Sequence, residues 1–264
     1  AATAGVFGPA LARAGYVDGY ALTPLIFSLI FATVILHGFS IGPLARFLGL
    51  AATSRNRVLI VGASPWSIAL AETLQSAKVP VLLTDSAWHH LRPARLAGLP
   101  VFYGEILSEI AESSLQLNDI GTLLAATSND AYNALVCTAF AADLGRSQIF
   151  QLPMYATDEN DPKGVNRGLR GRVAFHEEAL YEDLWRDYAR GWKFQKTRLT
   201  EAYDYEAYKG GAEPATVMLM VIRADGSVEV QSPQSPVTPK AGDTVISFVP
   251  PAEVVETRQE QRSA

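Results

Sequence analysis

The stretch VLIVGASPWSIALAETL, residues 58–74, decides the fold. Four apolar residues run directly into Gly62, and a helix-like apolar pattern follows. This is the layout that opens a nucleotide-binding βαβ unit. The usual G-x-G-x-x-G turn has three glycines; here its positions are Gly62, Ser64 and Ser67. The second glycine normally lets the backbone approach a pyrophosphate, and the third lets the helix pack closely on the strand. Serine is small enough for either place, and its hydroxyl can donate to a phosphate. Ser64 also makes a favourable N-cap, with Pro65 at the first helical position. Pro65 has no N–H, however, so the positive end of the helix loses one donor, and Trp66 crowds the turn. The stretch reads as an altered nucleotide site or as a vestigial turn that only shapes the domain.

Outward from this turn, short apolar runs alternate with helical stretches. Strands are expected at 58–61, 79–85, 101–104, 122–127 and 148–154. Helices are expected at 65–77, 87–97, 106–115 and 130–144. Apolar runs without alternation suit strands covered on both faces, and strand–helix repetition implies a parallel sheet. The expected fold class is α/β, a doubly wound Rossmann-like sheet. In such sheets ligands bind beyond the carboxyl ends of the strands, where strand order reverses. Gly62, Asp85, Gly104 and Thr127 each end one of the first four strands. Asp85 follows Gly62 by 23 residues (85 minus 62), near the spacing at which an acid meets the adenosine ribose hydroxyls. An acid there disfavours a 2′-phosphate, so NAD(H) or another adenine nucleotide is expected rather than NADP.

Residues 22–41, LTPLIFSLIFATVILHGFSI, carry no formal charge and as a helix would span roughly 30 Å, the thickness of a bilayer's hydrocarbon core. A signal peptide fits poorly, because there is no basic leading region and no small-residue cleavage site. Pro24 is expected in the first turn. Arg46, Arg55 and Arg57 follow the span, whereas Arg13, beside Asp18, precedes it; positive flanks favour the cytoplasm for all that follows. His37 is either a proton relay or, more commonly for such a residue, an interfacial or helix-bonding group. Residues 1–12 are small and apolar, like the tail of an earlier helix. Together with Thr33 and the Gly/Ala-rich face, they suggest packing against upstream transmembrane helices. The chain is expected to be the C-terminal part of a larger, multi-pass protein of the inner membrane.

The composition sets further limits. The chain has 264 residues, 48% hydrophobic and 19% charged, with net charge −5 and one cysteine, Cys137. The acidic balance and absence of a basic cluster argue against nucleic acid. A lone cysteine excludes an intrachain disulfide framework and a multi-cysteine zinc site.

Two stretches together resemble known families. LTPLIFSLIFATVILHGFSIGPLARFLGL is similar to the last transmembrane helix of NhaP-type monovalent cation:proton antiporters, through Thr33, Val34, Gly38, Pro43 to Arg46 and Leu48 to Leu50. The domain beginning RVLIVG and continuing through LLAATSNDAYNALVC resembles the TrkA-N, or RCK, regulatory domain; Ala126, Thr127, Asp130 and Asn133 match its Ala-Thr-x-x-Asp-x-x-Asn motif. The resemblance implies a regulatory module on a sodium or potassium:proton antiporter. A nucleotide would lie over Gly62, Ser64 and Ser67, with its ribose on Asp85. The usual Gly-Asp after the third strand is here Gly104-Glu105. The transport acids would lie in helices upstream of this chain. The implied partners are the bilayer, monovalent cations, protons and a second copy of the chain.

The remainder is less specific. Residues 176–192 read as an amphipathic helix, either a dimer helix or one packed on its own sheet. A hairpin is expected over 215–231 around Asp225-Gly226, and another strand over 241–249. They suggest a small β-rich C-terminal subdomain. The implied division is 1–50 membrane part, 55–192 TrkA-N/RCK domain, 193–250 β-rich subdomain and 251–264 tail. Tyr205 and Lys209 form the Y-x-x-x-K of short-chain dehydrogenases, but that family's glycine pattern is missing. His89-His90 and His176-Glu177 lack the second cluster that a metal site needs. Asp158, Glu159 and Asp161 read as a solvated acidic loop. Two alternatives stay open: a membrane-tethered NAD-dependent oxidoreductase, for which no convincing proton-transfer residue can be placed, and the RCK gating module of a potassium channel, which would need a selectivity filter upstream.

Overall fold

The computed structural model describes residues 2–16, 18–47, 55–115, 119–154, 165–166, 168–213 and 215–251. The acidic stretch with Asp158, Glu159 and Asp161, most of the expected tail and the segment 48–54 that follows the apolar helix lie outside the described residues. The chain divides into two compact units, residues 1–53 and 54–264.

The first unit holds helices α1 (Ala2–Arg13) and α2 (Gly19–Phe47). Part of α2, Gly19–Leu44, is long and apolar enough to cross a membrane, with mean hydropathy 2.1. The helix starts earlier than the apolar run suggested, so Pro24 lies beyond the first turn. The Tyr20 carbonyl therefore lacks its usual i+4 donor. Thr33 Oγ1 donates to Leu29 O at 2.7 Å, and His37 Nδ1 lies 2.8 Å from Thr33 O. A carbonyl only accepts, so Nδ1 carries the proton. Both polar side chains are thus bonded along their own helix. Gly8 lets α1 approach α2: a Cβ there would stand 2.8 Å from Thr23 Oγ1 and 2.9 Å from Gly19 O.

In the second unit, β1 (Arg57–Val61), β2 (Val81–Asp85), β3 (Val101–Tyr103), β4 (Ile120–Ala125), β5 (Ile149–Gln151) and β6 (Arg172–Val173) form a parallel sheet in the order β3-β2-β1-β4-β5-β6. Strand order reverses between β1 and β4. The helices α3 (Pro65–Ser76), α4 (Trp88–Leu96), α5 (Glu109–Ser114) and α6 (Asp130–Leu144) connect the strands. Alternate residues of β1 serve opposite faces. Val58 and Ile60 join the α3 and α4 side with Leu70, Leu74 and Leu91, while Leu59 and Val61 join α6 through Val136, Cys137 and Phe140. Coverage on both faces explains why the strand sequence is apolar without alternation.

A smaller antiparallel sheet follows, in the order β7-β10-β8-β9. Its strands are β7 (Lys193–Arg198), β8 (Val217–Ile222), β9 (Val228–Val230) and β10 (Thr244–Val249), with α7 (Tyr181–Ala189) before them and α8 (Tyr205–Gly211) between β7 and β8. The hairpin at Asp225-Gly226 and the last strand form where the sequence indicated. Strands β6 and β7 and helix α8 do not show in the apolar pattern. KFQKTR has one large apolar residue, Phe194, and its basic side chains occupy a sheet edge, where charge suppresses further strand pairing.

Several elements are shorter than their patterns. Helix α5 begins only at Glu109, because Ser108 accepts from Ala111 N and caps it. Strand β5 stops at Gln151, near Pro153, which has no N–H to offer. Helix α7 covers only part of 176–192, since the Tyr181 amide turns away to Pro153 O at 2.9 Å. Its apolar side is spent internally only in part: Leu184 is buried in the core cluster shared with α3 and Tyr188 packs at a tilt beside Phe194, whereas Trp185 stays exposed. Trp66 does not crowd the glycine turn. It is 2% exposed and points into an aromatic cluster with Phe175 and Phe194 that ties α3 to the second sheet.

Candidate nucleotide site

The carboxyl ends of β1, β2, β3 and β4 converge on a cleft of about 340 Å3. Gly62, Asp85, Gly104, Glu105 and Thr127 all line it. Residues up to 65 positions apart in the chain (127 minus 62) are thereby brought to one rim by the parallel order of the strands.

Gly62 is the pivot. Its φ of +107° lies where only glycine is comfortable, and a Cβ would stand 2.7 Å from Ala126 O and 2.9 Å from Thr127 Cγ2. The turn therefore passes hard against the end of β4. Ser64 caps α3 by accepting from Ser67 N at 3.1 Å, and Ser67 Oγ completes a capping box by accepting from Ser64 N at 2.8 Å. The Ser67 hydroxyl then donates to Gly62 O at 2.8 Å. Ser67 is fully buried and Ser64 nearly so. The two serine hydroxyls hold the turn, and neither serine is among the residues that line the cleft.

The backbone donors of the turn are also committed. Gly62 N bonds to Thr84 O and Ala63 N to Asp85 Oδ2, both at 2.8 Å, and Pro65 has no N–H. An anion-binding helix terminus needs free N–H groups, and this one has few to offer.

Asp85 has a double task. Oδ2 accepts from Ala63 N and Oδ1 from Ala87 N, each at 2.8 Å, so one carboxylate staples the glycine turn to the loop after β2. His90 Nδ1 lies 3.3 Å from Oδ2. Set aside in the sequence as a histidine without metal partners, His90 lines the cleft. The signal was its position on the first turn of the helix that follows Asp85.

Opposite, Tyr132 donates its hydroxyl to Glu105. Burial, and then the bond and charge of Glu105, raise the Tyr132 pKa well above the ordinary tyrosine range, so it stays a neutral donor. The Ala-Thr-x-x-Asp-x-x-Asn motif proves architectural. Buried Asn133 accepts from Thr127 N at 3.1 Å and from Thr127 Oγ1 at 2.5 Å, and donates to Thr127 O at 2.9 Å. Asp130 accepts from Gln151 Nε2 at 2.6 Å and pairs with Arg170. Tyr181, at the start of α7, closes the cleft; its side chain bonds to Ser64, while burial raises its pKa.

The cleft wall thus carries two carboxylates, Asp85 and Glu105, and no Lys or Arg among the described residues. Such a lining suits a ligand that donates through hydroxyl or amino groups and disfavours dense negative charge. The Y-x-x-x-K pair lies elsewhere, on α8: Lys209 pairs with Glu206 at 2.7 Å and sits over the Tyr205 ring. Among the described residues, no cluster of three or more His, Cys, Asp or Glu could hold a metal.

Residues 58–151 match the TrkA-N domain. The match covers β1 to β5, the whole cleft apart from Tyr181. The chain as a whole thus joins an apolar N-terminal helix, a Rossmann-like parallel sheet whose first five strands fall in the TrkA-N match, and a small antiparallel sheet. No curated protein matches the chain. Among solved structures, the chain is similar to the TrkA-N domain of inner membrane protein ybaL from Escherichia coli, at 18% identity and TM-score 0.35, covering 38% of this chain and 74% of that one. It is also similar to the GsuK channel bound to NAD, at 14% identity and TM-score 0.36, covering 78% of this chain and 38% of that one. The GsuK RCK domain aligns at 14% identity and TM-score 0.34, covering 79% and 46% respectively. The chain spans less than half the length of these two GsuK structures.

Proposed function

We propose that residues 55–250 form a cytosolic nucleotide-sensing regulatory module, and that α2 is the last membrane helix of a sodium or potassium:proton antiporter. The TrkA-N domain supplies the sensor. One observation carries the sensing role: Gly62, Asp85, Gly104, Glu105 and Thr127 meet in a single cleft at the switch point of the sheet. The apolar length of α2, the basic residues after it and the TrkA-N domain together support a membrane-tethered transporter. The wider assembly includes upstream membrane helices and a second copy of the chain.

The ligand is an adenine nucleotide held mainly through its nucleoside half. Asp85 and Glu105 can accept from ribose hydroxyls, whereas the glycine turn has few free donors for phosphate. NAD(H), whose pyrophosphate carries two negative charges against about four on the ATP triphosphate, therefore suits the cleft better than ATP. A ligand regulates transport only if the two transport states bind it with different affinity.

The test is calorimetry on the detergent-solubilised chain with adenosine, AMP, ATP, NAD and NADH. The expected order is NAD(H) and adenosine above AMP, and ATP weakest, with Glu105→Gln reducing affinity about tenfold. No heat with any of these would reduce the cleft to a scaffold. The transporter half is tested separately, in proteoliposomes of the intact protein, where the same nucleotide must shift cation-driven proton flux.

A further inference from the structure

We propose a second ligand site, for a phosphoryl or carboxylate oxyanion, in the cleft between α6 and β6. This cleft, about 510 Å3, is larger than the one at the glycine turn and lies at the β6 edge of the parallel sheet, away from the central switch point. Three arginines line it: Arg146 in the short 3-10 turn after α6, Arg170 just before β6 and Arg172 on β6. The acid on its wall is Glu177.

The three guanidinium groups differ in how far they are satisfied. Arg146 Nη2 donates to Gly168 O at 2.9 Å, which leaves most of its donors free. Arg170 pairs through Nη2 with Asp130 Oδ2 at 3.2 Å, but its Nε is buried and has no partner. Among the described residues, no hydrogen bond or ion pair engages the Arg172 side chain. A buried guanidinium N–H without an acceptor is costly and uncommon. Three like charges around one cleft also repel one another. An oxyanion relieves both conditions, because the planar fork of arginine matches the paired oxygens of a carboxylate or phosphoryl group. The floor adds no opposing charge: Cys137 and Ile149 are apolar here, and burial pushes the Cys137 thiol up to about 12, so it stays neutral.

The position also offers a route between the sites. Asp130, the partner of Arg170, is the first residue of α6, and the same helix start supplies Asn129 and Tyr132 to the glycine-turn cleft. An oxyanion on Arg170 competes with Asp130 and so bears on the loop that shapes the first cleft. This linkage rests on the nucleotide reading; the oxyanion site itself does not.

The experiment is calorimetry on the full chain in detergent at low salt, with inorganic pyrophosphate in one arm and malonate in the other. The arms separate a phosphoryl ligand from a dicarboxylate. Binding of at least one anion is expected, weakened about tenfold by Arg172→Gln and further by Arg146→Gln. Both variants should keep the wild-type circular dichroism, because neither side chain holds the core. No heat with either anion, or equal affinity in wild type and double variant, overturns the proposal. So does heat lost on Gly62→Val but kept in the arginine variants, since the anion would then sit at the glycine turn. A failure of adenine nucleotides to bind leaves this result unchanged, so the two proposals fail separately.

Discussion

Replacing Asp85 with alanine tests whether this carboxylate is architecture as well as ligand contact. The side chain accepts from Ala63 N and Ala87 N, both at 2.8 Å. Ala63 is buried, at 7% exposure, so water cannot readily replace its lost acceptor; a hydrogen bond to a charged group there contributes about 1.5–3 kcal/mol. The Ala87 amide is half-exposed, and its loss costs about 0.5–1 kcal/mol. Asp85→Ala should therefore destabilise the sheet unit by about 2–4 kcal/mol. At roughly 2–4 °C per kcal/mol for a unit of this size, the melting midpoint should drop by about 4–16 °C. Asp85→Asn keeps one acceptor oxygen and should lose about half as much. The assay is a thermal melt followed by circular dichroism, with both variants and wild type in the same detergent. If Asp85→Ala melts within 1 °C of wild type, the staple is worth nothing and the geometry has been misjudged. The consequence for binding studies is practical. Nucleotide affinity lost in Asp85→Ala reports a deformed turn as well as a missing ribose contact, whereas Glu105→Gln leaves the turn intact.

Other outcomes follow from the same geometry. Gly62→Ala must hold φ near +107° and push against Ala126 O; it should cost about 2–4 kcal/mol in a denaturant titration and abolish nucleotide heat. Asn133→Ala leaves Thr127 N without its acceptor, so about 2–3 kcal/mol of stability should go, and amide exchange should quicken over residues 127–129. Cys137, buried with its pKa pushed up to about 12, should resist a thiol reagent at pH 8 and react fully in denaturant; fast native labelling would show that the cleft floor opens. Burial lowers the His176 pKa below its ordinary 6.5. The unfolded chain then binds more protons than the folded one as pH falls through 6.5, so His176 costs stability on the acid side of that value. His176→Gln should flatten the fall in melting temperature between pH 7 and pH 5.

The sequence fell short where a residue's type does not say which neighbour its side chain engages. His90 looked like one of two adjacent histidines without ligands, because its partner, Asp85 at the end of the preceding strand, is a carboxylate and not a metal. Ser64 and Ser67 looked like phosphate donors, since sequence shows a hydroxyl but not which acceptor already holds it. Trp66 looked like an obstruction, yet its ring turns into a core formed with Phe175 and Phe194, more than a hundred residues away. Strand β7 was invisible because an edge strand with charged side chains carries almost no apolar signal.

What the sequence determined by itself was the wound sheet and the rim of the cleft. Short apolar runs covered on both faces suit strands, their alternation with helices makes the strands parallel, and parallel strands carry their C-terminal residues to one edge. Gly62, Asp85, Gly104 and Thr127 were bound to meet once that order was set. The tertiary structure decided which of their atoms remain free. Hydrogen bonds saturate: an amide already bonded to Asp85 has no proton left for a phosphate. That allocation depends on three-dimensional contact, and the residue types alone do not contain it.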